Sequence, residues 1–352
     1  MKTILVTGGA GFIGSHTCLE LLDSNYTIFI IDSNVNSSKL SIDKLIQIGK
    51  NNNLDYKKNI FFFKGDIRDE EFLNNVFQKA KQLDKKIDAV IHFAGLKSVS
   101  ESVRKPLLYW DVNVNGALKL FSTMQKNNCK TIVFSSSATV YGFRETSLKE
   151  NFKLKPANPY GETKVAIERI LKNLSVSEKD SWRVANLRYF NPIGAHPSGL
   201  IGENPSNAPE NIFPFICQVA LGKKDKLYVF GNDWPTKDGT CLRDYIHIMD
   251  LANAHKCSLD FLLNNSPQNI DLNIGTGKGT SVLELINIFC DVNKCKINYE
   301  FTKRRNGDVA QIIADTKKVN SILNWRPKKN IADMCLDGFK WQKLNPKGFI
   351  DE

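Results

Sequence analysis

A short β-rich run, Thr3-Ile4-Leu5-Val6-Thr7, passes directly into Gly8-Gly9-Ala10-Gly11-Phe12-Ile13-Gly14, and a helical pattern follows through Leu22. This G-x-x-G-x-x-G spacing between strand and helix constrains the fold more than any other feature of the chain. The glycines allow a tight turn. The backbone amides that open the helix, at the positive end of its dipole, seat a pyrophosphate. A Gly-rich string alone is often only a loop, but here Asp32 ends the next apolar run, eighteen residues beyond Gly14. A carboxylate there accepts hydrogen bonds from the adenosine ribose hydroxyls and repels a 2′-phosphate. No arginine follows in Ser33-Asn34-Val35-Asn36, so the expected cofactor is NAD rather than NADP.

Further apolar runs at residues 27–31, 60–64, 89–93 and 131–135 are separated by helix-length amphipathic stretches. Runs of about five continuous apolar residues suit strands buried on both faces. The expected fold is α/β, a Rossmann-type doubly wound parallel sheet. Beyond about residue 190 prolines and glycines crowd residues 191–240, while 251–263 and 282–292 look helical and 270–274 strand-like. A length of 352 residues favours about two domains. The expected division is a dinucleotide-binding domain over 1–190 and a smaller, loop-rich α/β substrate domain over 191–352, with segments near 244–275 returning to the first.

Composition removes other classes. Apolar residues at 42% and charged residues at 24% make an ordinary globular mixture. The net charge of +11 comes from scattered pairs such as Lys57-Lys58, Lys85-Lys86, Lys223-Lys224 and Lys328-Lys329, interleaved with acids. That dispersal reads as a solvated face rather than a nucleic-acid surface. The eight cysteines form no C-x-x-C pair and no Cys/His cluster, so reduced thiols in a cytoplasmic protein and no metal site are expected. No stretch approaches the eighteen or so apolar residues of a membrane helix. The apolar run Ile4-Leu5-Val6 is also too short for a signal peptide.

The second chemical signal is Tyr160-Gly161-Glu162-Thr163-Lys164, a Y-x-x-x-K, preceded by Ser135-Ser136-Ser137 at the end of the fifth run. On a helix Tyr160 and Lys164 lie one turn apart on one face. A free tyrosine, with a pKa of about 10, is a poor base at neutral pH. A lysine ammonium and a positively charged nicotinamide nearby favour the phenolate. A serine hydroxyl from the neighbouring strand can share the same substrate oxygen. A surface Tyr/Lys pair is the bland alternative, and the nucleotide fingerprint together with the serines weighs against it.

The glycine spacing with Y-x-x-x-K resembles the extended short-chain dehydrogenase/reductase superfamily, and longer strings narrow it. These are His92-Phe93-Ala94-Gly95-Leu96-Lys97, Ser135-Ser136-Ser137-Ala138-Thr139-Val140-Tyr141-Gly142 and Leu187-Arg188-Tyr189-Phe190-Asn191-Pro192-Ile193-Gly194-Ala195-His196-Pro197-Ser198-Gly199. With Gly231-Asn232-Asp233 through Asp244-Tyr245-Ile246-His247 and Arg304-Arg305-Asn306-Gly307-Asp308, the chain resembles the UDP-glucose (UDP-galactose) 4-epimerases from Lys2 to about Trp341. The resemblance implies a cofactor along Gly8, Gly11, Phe12, Ile13, Gly14, Asp32, Asn36 and Ser37, with Asp66 and Ile67 by the adenine. Phe93, Ala94, Gly95 and Lys97, with Ser135, Tyr160, Lys164 and Phe190, would line its pyrophosphate and nicotinamide end. Tyr160 would be the base and acid, Lys164 its orienter and Ser137 the partner of the sugar 4-oxygen. Thr139, Asn191, Asn211, Arg243, Arg305 and Asp308 would bind the UDP-sugar, and Tyr228 and Phe230 would lie beside the uracil. Surface ion pairing for the arginines and plain core packing for the two aromatics remain open alternatives.

The implied activity is reversible, NAD-dependent epimerisation of UDP-glucose and UDP-galactose at C4 through a 4-keto sugar. Related 4,6-dehydratases use an extra carboxylate after the strand, whereas Thr139 here is followed by Val140 and Tyr141. A non-catalytic dinucleotide sensor on the same fold is the other class of reading. It has no need of Ser137, Tyr160 and Lys164 together. Two departures stand out: Val112, where bacterial relatives often carry asparagine, and Ile312, where relatives carry tyrosine or a small residue. Apolar spacing at Leu107, Leu108, Val114, Leu118 and Phe121, and at Ile167, Ile170, Leu171 and Leu174, suits packing on the chain's own sheet. The resemblance implies a homodimer joined through two helices of each subunit.

Overall fold

A computed structural model describes residues 1–144, 146–204, 211–305 and 308–349. In chain order the strands are β1 (Thr3–Thr7), β2 (Thr27–Asp32), β3 (Ile60–Lys64), β4 (Ile87–His92), β5 (Thr131–Ser137), β6 (Arg183–Tyr189) and β7 (Asn191–Ile193). They continue as β8 (Leu227–Phe230), β9 (Leu242–Arg243), β10 (Tyr245–His247), β11 (Gln268–Ile274), β12 (Thr280–Ser281), β13 (Tyr299–Thr302) and β14 (Gln311–Ile312). The helices are α1 (Phe12–Asp23), α2 (Leu40–Asn51), α3 (Glu70–Gln82), α4 (Val99–Arg104), α5 (Pro106–Tyr109) and α6 (Gly116–Lys126). After them come α7 (Pro159–Ser177), α8 (Ile212–Ala220), α9 (Ile248–Asn264), α10 (Val282–Asn293), α11 (Lys317–Leu323) and α12 (Ile331–Leu344).

Contacts divide the chain into two compact units. Met1–Gly142, Leu154–Arg188 and Ala252–Leu272 form the first, and Phe143–Lys153, Tyr189–Leu251 and Asn273–Glu352 form the second. The first is built on a seven-stranded sheet ordered β3-β2-β1-β4-β5-β6-β11. The pairs among β1 to β5 all run parallel. Ile4, Leu5, Val6, Ile28, Phe29, Ile30, Ile31, Ile132, Val133 and Phe134 are wholly buried, as continuous apolar strands covered by helices on both faces require. Each such side chain contributes about 1.5–3 kcal/mol. Chain order reverses between β1 and β4, and the crevice beyond the carboxyl ends of such strands is where this architecture binds ligands.

β5 runs two residues past the expected apolar run, through Ser137, because strand pairing uses the backbone and not the side chain's polarity. α7 starts where its sequence dictates: Asn158 Oδ1 accepts from the Gly161 amide at 2.9 Å, and Pro159 occupies the first turn. Its apolar stripe, Ile167 and Leu171, packs with Trp182 and Val184 in the first unit's core. A π-helical stretch, Trp110–Asn115, joins α5 to α6.

The second unit has its own core, in which Phe289 meets Phe213 and Phe339 with ring centroids 6.0 and 5.0 Å apart. Its strands are short. β9 pairs with β12 and β14, and β8 runs parallel to β13. A capping box between Ser281 and Glu284 opens α10. Asp244, between β9 and β10, is fully buried and accepts from the Thr276 amide and hydroxyl, the Gly277 amide and the Ala314 amide at 2.6–3.1 Å. Four donors around one carboxylate tie three loops together.

Candidate active site

The loop after β1 is a cradle that only glycine permits. Gly8 has φ +72°, and a Cβ there would lie 2.7 Å from the Ala94 nitrogen; at Gly14 it would lie 2.2 Å from the Gly8 oxygen. Gly11 caps α1 without a side-chain hydrogen bond, so the first-turn amides of Phe12, Ile13 and Gly14 have no side-chain cap. Uncapped amides at a 12-residue helix N-terminus suit a pyrophosphate. Asp32, 7% exposed at the end of β2, accepts from the Ala10 amide (2.9 Å), the Asn34 amide (3.0 Å) and Ser37 Oγ (2.7 Å). These bonds hold the carboxylate at the rim of the cradle, beside exposed Asn36. A neighbouring cavity is lined by Asn34, Ser37, Ser38, Lys39, Phe62 and Lys64.

Asp66 is engaged by Arg68, whose Nη2 lies 2.7 Å from it and whose Nη1 reaches Asp111 at 2.6 Å. The Arg68 guanidinium holds the Asp66 carboxyl below its usual range. The Ile67 side chain is in the core, 4% exposed against Gly116, which leaves its backbone for any ligand. Phe93 and Ala94 donate their amides to the Thr7 oxygen, and the Phe93 ring lies 4.8 Å from His255. Gly95 has φ +156°, and Lys97 is exposed. Phe190 is buried in the second unit.

At the carboxyl end of β5 the polar side chains converge. Thr139 donates both its amide (3.2 Å) and its hydroxyl (3.0 Å) to Ser137 Oγ, and Ser137 is the side chain that favours the ionised Tyr160 phenol. Lys164 Nζ donates to the Ser135 carbonyl at 2.8 Å and lies 5.6 Å from the centre of the Tyr160 ring. Tyr160 and Lys164 are both buried. Burial pushes the Tyr160 phenol up to about 12, against the pull of Ser137, and takes Lys164 down to about 8, against the Glu168 charge. The lysine alone therefore does not bring this tyrosine into the neutral range.

The second unit holds a cavity of about 530 Å³ whose lining includes Asn191, Asn211, Tyr228, Phe230, Arg243, Arg305 and Asp308. Strand alternation explains the aromatics: Leu227 and Val229 point into the core, whereas Tyr228 is 51% exposed and Phe230 partly exposed. Core packing is thus excluded for that pair. Arg305 lies over the Phe230 ring at 4.5 Å and 3.2 Å from Asp308, and Arg243 is 3.6 Å from the same carboxylate. Arg243 also donates to the Leu242 and Val309 carbonyls, so its fork is fixed from behind. Asn211 is the N-cap of α8 and makes no side-chain cap bond. Asn306 and Gly307 lie outside the described residues.

Sequence reasoning missed several residues here. Lys223, Lys224 and Lys226 line the cavity, although the Lys223-Lys224 pair reads from sequence as one more solvated doublet. Ile212, Phe215, Cys241, Tyr245 and Val282 join them, with no local motif to announce them. Asn113, next to the departing Val112, is also unforeseen. Its Oδ1 accepts from the Leu96 amide at 2.8 Å, and its Nδ2 donates to the Leu96 carbonyl and to Thr163 Oγ1, both at 3.1 Å. One amide thereby joins the loop after β4 to α7.

The chain is similar over nearly its whole length to known proteins. The family model described as GDP-mannose 4,6 dehydratase matches residues 5–337. A UDP-glucose 4-epimerase of Bacillus subtilis (strain 168) is 47% identical over 347 residues, 98% of each chain. UDP-glucose 4-epimerase GEPI48 of Cyamopsis tetragonoloba is 46% identical over 99% of this chain and 97% of its own. Among solved structures, a Stenotrophomonas maltophila UDP-glucose 4-epimerase with bound NAD and formylated UDP-arabinopyranose superposes with a TM-score of 0.92 at 41% identity, covering 99% of both chains. The Bifidobacterium longum UDP-glucose 4-epimerase in complex with NAD+ and UDP gives 0.89 at 41% identity, over 99% of this chain and 100% of its own. At such identity over nearly its whole length, and within the sugar-nucleotide family matched over 5–337, the chain belongs to the UDP-glucose 4-epimerases.

Proposed function

We propose that this chain interconverts UDP-glucose and UDP-galactose by NAD-dependent inversion at C4, with Tyr160 as acid and base. The observation that carries the reading is the convergence of Ser137, Thr139 and Tyr160 hydroxyls at the end of β5, with Lys164 fixed on the Ser135 carbonyl. The glycine cradle, the α1 amides and Asp32 would hold NAD, which supplies the hydride acceptor and donor and a ring cation that favours the tyrosine phenolate.

The chain's own residues supply the proton chemistry. Tyr160 takes the 4-hydroxyl proton as the sugar is oxidised to the 4-ketone and returns it when the other face is reduced. Ser137 favours the ionised form of that phenol, so a sugar oxygen placed between them meets two groups able to donate or accept. Lys164 keeps a cation beside the ring, where burial makes charge interactions stronger than in water. In the second unit Arg243 and Arg305 present two forks suited to a diphosphate, and Tyr228 and Phe230 present ring faces suited to a uracil. The segment 138–142, Ala-Thr-Val-Tyr-Gly, carries no carboxylate of the kind a dehydration at the neighbouring carbon needs.

Two further readings belong to the same proposal. Val103, Leu107, Leu108, Trp110 and Leu118 are exposed on and between α4 and α6, Leu107 at 82%, an apolar face that suits a second copy of the chain. Sedimentation showing only monomer at micromolar concentration would remove the homodimer. The eight cysteines, five of them buried, suit a reducing cytoplasm. The deciding experiment is incubation with a panel of UDP-sugars and identification of the products. Inversion at C4 of UDP-glucose and UDP-galactose is expected. Binding without inversion would make the protein a sensor, and loss of water from the sugar would make it a dehydratase.

A further inference from the structure

Ser135, Ser136 and Ser137 are consecutive on β5, and each engages a different turn of α7. The Ser135 carbonyl accepts from Lys164, Ser137 acts on the Tyr160 phenol, and between them Ser136 Oγ donates to Glu168 Oε1 at 2.6 Å. On α7 these partners stand at i, i+4 and i+8, a single stripe facing one strand end. The epimerase chemistry uses the first two and gives Glu168 no task. Yet Glu168 is an acid only 6% exposed, and burying such a charge is costly unless it is paired. Arg188 on β6 pairs it twice, Nε to Oε1 at 2.9 Å and Nη2 to Oε2 at 2.7 Å. The same guanidinium donates to the Tyr141 hydroxyl at 3.1 Å and to Asp271 on β11 at 3.0 Å.

We propose that Glu168 is a positioning residue for the proton chemistry: through Ser136 it locks the end of β5 against α7, and its charge stands one turn from Lys164. The proposal rests on the epimerase reading. The groups around Lys164 are Tyr160 and Glu168 on α7, His92 on β4, and the Phe134 ring and Ser135 carbonyl on β5. Arg188 and Asp271 stand behind Glu168. His92 is held neutral by burial and by Lys164 itself, its imidazole pushed down to about 3. Glu168 is therefore the charge that favours the ammonium, while burial opposes it. Without it, Lys164 loses its proton at lower pH and Tyr160 loses its cationic neighbour.

Glu168→Gln keeps the shape and removes the charge. In the NAD-bound variant, the alkaline limb of kcat should move to lower pH by about one unit, a tenfold change in the protonation equilibrium, with KM little altered. A readout independent of turnover is the phenolate absorbance of Tyr160, taken as the difference from a Tyr160→Phe counterpart; it should appear at higher pH in the variant. Glu168→Asp should restore most of both, and Ser136→Ala, which keeps the charge, should leave the limb in place. Should Gln leave Arg188 too poorly paired to fold, Glu168→Met with Arg188→Met removes the whole ion pair and should shift the limb in the same direction. A folded variant of either kind with an unmoved limb and unmoved phenolate titration overturns the proposal. So does a kcat that falls only with the folded fraction. A wild type that inverts no UDP-sugar overturns the epimerase reading, and this inference with it.

Discussion

Tyr160→Phe removes one oxygen from a buried ring, and the structure separates its effect on chemistry from its effect on stability. The polar side chain that acts on the hydroxyl is Ser137, whose Oγ accepts from the Thr139 amide and hydroxyl at 3.2 and 3.0 Å. Ser137 is therefore not orphaned, and the loss is at most one neutral hydrogen bond, about 0.5–1.5 kcal/mol. Ring packing survives, so the folded fraction at 25 °C should be unchanged. Catalysis should suffer far more, because removing a positioned acid/base typically lowers the rate roughly 10²–10⁴-fold. That is about 3–5 kcal/mol on the barrier. The assay has three parts: bound NAD by absorbance of the purified protein, a thermal melt, and turnover of UDP-galactose. Bound NAD within twofold of wild type, a melt lowered by a few degrees, and turnover down at least about a hundredfold are expected. Turnover within about threefold of wild type would refute the assignment of the proton to Tyr160, and loss of bound NAD would show that the residue serves the cradle instead.

Three other outcomes follow from particular contacts. Asp32→Ala combined with Ser33→Arg should swing nucleotide preference toward NADP, because it removes the carboxylate and adds a fork beside a cavity already lined by Lys39 and Lys64; calorimetry with both nucleotides checks this, and a wild type that prefers NADP sinks it. Ile312, partly buried on β14 in register with Arg243, is expected to restrict the sugar's 2-substituent, so the enzyme should favour UDP-glucose and UDP-galactose while retaining some activity on N-acetylated forms. Ile312→Tyr should lower and Ile312→Ala raise relative kcat/KM for UDP-N-acetylgalactosamine, by about 1–3 kcal/mol each, and an unmoved ratio removes Ile312 as the gate. His92, with its folded imidazole held at about 3 by burial and Lys164 against an ordinary value of 6.5, makes the fold acid-sensitive. Between those values the unfolded chain binds a proton that the folded one does not, so stability is lost as pH falls, by up to about 1.4 kcal/mol per pH unit. Urea melts from pH 7 to 4 should show a shallower decline in His92→Asn, and an equal slope would assign the sensitivity to other groups.

Local order in this chain is largely written in local sequence. The glycine string, the apolar strands and Y-x-x-x-K can be read directly because each depends on neighbours a few residues away: a positive φ at Gly8, continuous burial at Ile28 to Ile31, one helical turn from Tyr160 to Lys164. Side-chain alternation likewise sends Leu227 inward and Tyr228 outward once the strand is known. What tertiary structure alone decided involves partners far apart in sequence. Nothing near Glu168 foretells that Arg188, Tyr141 and Asp271 will meet around it, or that Asn113 will bracket Leu96 and Thr163. Nor does a Lys-Lys doublet say whether it faces bulk water or lines a cavity, since its charge is the same in both. The protonation of Tyr160 and Lys164 is decided there as well. Motif logic supplies the sign of their interaction, whereas the desolvation that pushes one up to about 12 and the other down to about 8 exists only once the rest of the chain has closed over them.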